Sequence, residues 1–132
     1  MNHQLPDLRS ALLELHKALI ETERVSYEEA VGPIRSPNHF LQLLTGDPHF
    51  AWLHPLSQLI VAIDEALDGK EPLTAEIAGA LADRARHVIV ASDSGEGAPK
   101  RYAELFQRSP EVVMAHAKVR ELLGSPPTAR AI

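Results

Sequence analysis

Cysteine is absent from the 132 residues. That excludes disulfides, a thiol nucleophile and any zinc or iron–sulfur site built on thiolates. Aromatic residues make up only 5% of the chain, with a single tryptophan, Trp52. No stretch reaches the roughly 18 consecutive apolar residues of a membrane-spanning helix. Basic charge is outweighed: 13 Lys and Arg against 18 Asp and Glu leave −5 at pH 7, which argues against non-specific nucleic-acid binding. The start, MNHQLPDLRS, lacks the basic region and apolar run of a secretory signal. These features set the expectation of a cytoplasmic protein with neither a membrane nor a nucleic-acid partner. No G-x-S-x-G and no G-x-x-x-x-G-K-S/T occurs, so no serine-hydrolase elbow or phosphate-cradling loop is signalled.

What is present is an ordinary globular composition, 45% apolar and 23% charged. A chain of this length buries enough surface for one core without metal or disulfide staples. The dominant stretch is 47–67, DPHFAWLHPLSQLIVAIDEAL. Its apolar residues Leu53, Leu56, Leu59, Ile60, Ile63, Ala66 and Leu67 follow the three-and-four spacing of one helix face. Pro55 interrupts it, at ~3 kcal/mol if the helix stays straight. Either the helix kinks at 51–55, or 48–53 is a separate turn and the main helix begins at Pro55. Trp52 is expected beneath the preceding short helix.

The punctuation of the chain is read from caps and breakers. A first helix over about 8–31 starts at the cap Asp7 and carries Leu8, Leu12, Leu15 and Leu19. Its stripe weakens after Ile20, resumes at Tyr27, and allows a bend near Val25-Ser26. Gly32-Pro33 stops it. Ser36-Pro37, Asp47-Pro48 and Ser109-Pro110 are three restarts of one type, a side-chain cap followed by proline in the first turn. They open a short helix at 37–44, the central helix to about 68, and a last helix at 110–123. Thr74 caps a helix over about 75–92, and Pro99 opens a short one to 107. Residues 92–98 form a loop. The result is an all-α expectation: an antiparallel four-helix bundle with two additional short helices, a single domain over 7–123, a frayed start at 1–6 and a disordered tail at 124–132.

The segments FLQLLTGDPHFAWLHPLSQLIVAIDE and RYAELFQRSPEVVMAHAKVRELL resemble a family of small bacterial all-helical proteins. The shared patterns are F-x-W-L-x-P-L-S at 50–57 and P-x-V-V-x-A-H at 110–116. The resemblance implies an all-helical domain and carries no activity, cofactor or site.

Four groups of residues are candidates for chemistry. His16, His54, His87 and His116 fall one on each long helix, as inward histidines do in haem and metal bundles. Only His116 falls clearly inside its apolar stripe. The E-x-x-H pairing of carboxylate bundles is missing, since Leu13, Ala51, Arg84 and Val113 precede them by three. The plain reading of His116 is a partly buried ring bonded to a neighbouring side chain, and no cofactor is called for. Asp64 flanks the central helix and needs a partner if buried, with Arg84, Arg86 or His116 as candidates. It is a salt-bridge member or a general base in a cleft. Ser94 to Arg101 combines glycines, a helix start and two cations, which suits either a plain connection or an anion site. Phe40, Phe50, Trp52, Tyr102 and Phe106 seal helix junctions or line an interhelical pocket, for which Trp52, Asp64, Tyr102 and His116 are the candidate residues.

Three functions follow. The first is a non-enzymatic bundle acting by self-association, as a homodimer, or by protein–protein interaction, suggested by the outward Val61. The second is a metal or haem bundle. The third is a small-molecule enzyme with an interhelical cleft.

Overall fold

A computed structural model describes residues 5–69, 71–90 and 97–124. Among these there are seven helices and no strand: α1 Leu5–Ala30, α2 Pro37–Gly46, α3 Pro48–Ala51, α4 His54–Asp68, α5 Ala75–Val88, α6 Ala98–Arg108 and α7 Pro110–Leu123. No helix is long and apolar enough to cross a membrane.

Local chemistry sets the ends. Ser36 Oγ accepts from the His39 amide at 3.0 Å, Asp47 Oδ1 from His49 at 2.8 Å, Thr74 Oγ1 from Ile77 at 3.1 Å and Ser109 Oγ from Val112 at 3.3 Å. Each satisfies one of the amides that a helix start leaves without an internal partner. Gly32 ends α1 with φ of 149°, in the region that glycine enters without a Cβ penalty.

Several boundaries differ from the sequence expectation: α5, expected to about 92, ends at Val88, and α2, expected to 44, runs to Gly46. Helix α1 starts at Leu5, so Asp7 lies inside its first turn instead of capping it. It also runs through Val25-Ser26 as one helix. Leu5 is buried at 3% exposure, and packing that side chain extends the helix past the local cap signal. At Pro55 the separate-turn alternative holds. Helix α3 closes after Ala51, and α4 starts at His54 with Pro55 in its first turn, where a proline loses no intrahelical bond. The expected loop 92–98 lies largely outside the described residues, as do residues 1–4 and 125–132.

The core is one cluster. Helix α1 supplies Leu5, Leu8, Leu12, Leu15 and Leu19; α4 supplies Leu56, Leu59, Ile60 and Ile63; α5 adds Leu81 and Ala85; α7 adds Val112, Val119 and Leu123. Helix α1 packs along both α4 and α7, α4 packs on α5, and α5 touches α7. Helices α3 and α6 both lean on α1, and α2 folds onto α3. The stripe of α1 is therefore the centre of the molecule, with two faces covered by long helices and its far end by short ones.

Candidate functional site

At that far end the leucine stripe of α1 gives way to polar residues that stay buried. Glu23, four residues beyond Leu19, is 0% exposed, and Ser26 is also buried. A carboxylate out of water must be supplied with donors, and two other segments supply them. Trp52, just after α3, donates its indole N–H to Glu23 Oε2 at 2.6 Å. Arg101 on α6 donates Nε–H to the same oxygen at 2.8 Å and Nη2–H to Oε1. This is the two-pronged pairing for which a guanidinium is shaped. Arg101 Nη2 also reaches Ser26 Oγ at 2.9 Å, and Nη1 reaches Glu104 at 2.9 Å. The hydrogen bonds to Glu23 hold the Arg101 guanidinium protonated, raising its pKa above the ordinary arginine value.

His49 completes the cluster. Its Nε2 lies 3.2 Å from Glu23 Oε1, yet it is buried without an aligned hydrogen bond. The distance is that of an ion pair and the direction is not that of a hydrogen bond, so this contact is electrostatic and strong only with a protonated ring. Tyr27 meets the His49 ring edge-on at 5.5 Å between centroids. Tyr27 and Phe40 pack on Phe50, each at 5.8 Å between centroids. The ring beneath α2 is thus Phe50, whereas Trp52 faces α6, 6.3 Å from Tyr102. The expected place of Trp52 beneath α2 is corrected on this point: one residue of turn separates two ring directions, and the indole N–H is drawn to Glu23.

The four helix-borne histidines are committed to four separate partners. His16 Nε2 is 2.7 Å from Ser57 Oγ, His54 Nε2 is 2.9 Å from the Leu44 carbonyl, His87 Nδ1 is 2.8 Å from the Asp83 carbonyl, and His116 Nδ1 is 2.8 Å from the Tyr102 hydroxyl. Among the described residues no three His, Asp or Glu side chains group as a metal site. Burial disfavours the charged ring at His16 and His116 and lowers both pKa values, with the Arg120 charge adding to the effect at His116. Phe106 packs edge-on against His116 at 5.2 Å. Burial also pushes the Tyr102 phenol up, so it stays a neutral hydroxyl.

Asp64 pairs with Arg9 on α1, and not with Arg84, Arg86 or His116. It lies on the flank of α4 turned to α1, with its side chain 36% exposed. Arg86 serves Asp83 at 2.9 Å and the Leu123 carbonyl at 2.7 Å. Of the Ser94–Arg101 candidate, residues 94–96 lie outside the described residues. Its Arg101 is turned inward to Glu23 and is not available to an anion.

A cavity of about 220 Å³ lies beside the cluster, between α4, α5 and α6. Trp52 and Tyr102 line it, together with Leu53, Leu56, Arg84 and His87. The structure thus puts two of the four expected pocket residues in the lining, holds His116 behind Tyr102 and leaves Asp64 elsewhere. Sequence reasoning passed over Glu23, Ser26 and His49, and it placed Arg101 in a connection or anion site instead of beside Glu23. The available signal was the interrupted stripe of α1, where 23 and 26 hold polar residues at positions that helical spacing sends inward.

No protein-family profile, no curated protein and no solved structure matches this chain.

Proposed function

We propose that the chain is a non-enzymatic helical-bundle protein that works by association, either with a second copy or with another protein. The observation that carries this reading is Val61, 54% exposed on the outer side of α4. One helical turn further, Glu65 and Ala66 border a groove that Leu73 and the 42%-exposed Ile77 continue onto α5. Exposed apolar side chains on two neighbouring helices, beside a groove that also holds Glu65 and Glu71, suit a self-complementary contact. The buried polar groups support the same reading, because Glu23, His16 and His116 already hold partners within the fold. The reading keeps the cytoplasmic setting and, from the net charge of −5, no nucleic-acid partner.

The arrangement proposed is an antiparallel four-helix bundle of α1, α4, α5 and α7, with α2, α3 and α6 appended. Its support is the order of contacts. Arg9 meets Asp64, His16 meets Ser57 and Glu23 meets Trp52, so α1 rises in number as the segment leading into α4 falls. Residues 7–14 and 118–122 share one groove of α1 and α7, and residues 14–21 and 111–118 share the next.

Size-exclusion chromatography with light scattering at high micromolar concentration tests the association. The expected result is a dimer mass that Val61→Glu with Ile77→Glu converts to a monomer of unchanged helicity. A strict monomer, or a dimer indifferent to both substitutions, overturns self-association through this surface.

A further inference from the structure

The cavity between α4, α5 and α6 has a lining divided by chemistry. Leu53, Leu56 and Val88 form apolar walls. Trp52 and Tyr102 contribute rings whose polar atoms are already spent on Glu23 and His116. They therefore present flat apolar surface to whatever enters. Against this stands one cation, Arg84, with no carboxylate partner among the described residues. Arg84 lines the cavity from an exposed position on α5 and, like Arg35 and Arg120, holds no carboxylate there, whereas Arg9, Arg24, Arg86, Arg101 and Arg108 each hold one. His87 stands three residues on, its Nδ1 committed to the Asp83 carbonyl.

We propose that this cavity binds a small organic carboxylate with an apolar body, the size of phenylacetate. An apolar pocket with a few convergent polar groups is the common form of a small-molecule site, and its 220 Å³ lies below the roughly 300–1,000 Å³ that hold drug-sized ligands. The body stacks on Trp52 and Tyr102 and fills the space against Leu53, Leu56 and Val88. The carboxylate takes the two-pronged pairing that Arg84 offers. Charge complementarity chooses the acid over its neutral analogues. This inference is independent of the association reading, because the site opens on α5 and α6 and not on the Val61–Ile77 surface.

The sole tryptophan lines the site, so its emission reports binding in the full-length chain. The experiment titrates Trp52 fluorescence, with calorimetry alongside, using phenylacetate, phenylacetamide and acetate. Saturable binding of phenylacetate is expected. Phenylacetamide should bind about tenfold or more weakly, the size of one charge-assisted hydrogen bond, and acetate should not compete. Arg84→Gln should bring phenylacetate down to the affinity of the amide with unchanged helical circular dichroism, and Arg84→Lys should recover part of the loss. Three results overturn the proposal: phenylacetate without saturable emission change or heat, amide or acetate binding as tightly as the acid, or Arg84→Gln leaving phenylacetate affinity intact.

Discussion

The carboxylate of Glu23, fully withdrawn from water, receives the indole N–H of Trp52 at 2.6 Å across 29 residues of sequence. The hydrogen bond fixes which way the indole points and so gives the neighbouring cavity one of its walls. Trp52→Phe keeps an aromatic ring, deletes the donor and removes part of the indole's apolar bulk. Leaving part of a buried carboxylate unsatisfied costs about 1–3 kcal/mol. Urea unfolding should therefore show a lowered midpoint with an unchanged slope. An unchanged midpoint would show that water replaces the indole at no cost.

Arg101 neutralises that same carboxylate from α6. Its removal as Arg101→Met leaves Glu23 buried without its guanidinium, a change of about 3–5 kcal/mol in comparable sites. The double variant Glu23→Leu with Arg101→Met removes both charges and fills the space with apolar atoms, so it should be clearly more stable than Arg101→Met alone. Chemical denaturation of the three proteins measures the difference. A double variant no more stable than the single one would mean that Glu23 left without Arg101 carries no penalty for its burial.

These two residues also show where sequence reading reached its limit. The stripe Leu8, Leu12, Leu15, Leu19 and the three Ser/Asp-Pro starts are local patterns, and the helices they implied are present. Glu23 was passed over because glutamate is seldom fully buried unless paired, and its pair lies 78 residues away. Nothing within one helix announces such a partner. His116 was placed by its own helix face, but Tyr102, which holds it, comes from α6. The pocket residues Trp52 and Tyr102 were legible as scarce aromatics. Asp64 was misassigned in partner because the flank of a helix does not reveal which neighbour faces it.

Asp64 should matter little. Its pairing with Arg9 leaves the two side chains 36% and 38% exposed, and exposed pairs of this kind contribute roughly 0–1 kcal/mol. Asp64→Ala is expected to shift the thermal midpoint by no more than a few degrees and to leave the dimer mass and phenylacetate binding as they were. Loss of either property would return Asp64 to the list of functional groups.

The pH response of stability should come from His16 and His116. Burial lowers the folded-state pKa of both below the ordinary histidine value of 6.5. Between that lowered value and 6.5 the unfolded chain binds more protons than the folded one, so stability rises with pH across this window. It is fully present above about pH 6.5 and is lost as the pH falls toward the lowered folded values. Each neutral ring has a reason to stay neutral. His16 sits against Ser57, and His116 is enclosed by Tyr102 and Phe106 with the Arg120 charge acting on it. Solvent reaches part of both rings, so the expected fall in thermal midpoint from pH 7.5 to pH 5.5 is a few degrees and not a collapse. His16→Gln with His116→Gln removes the titrating groups while keeping polar side chains of similar length, and should flatten the profile over that interval. Calorimetry of both proteins across it decides the matter: an equally steep fall in the double variant would assign the response to other groups.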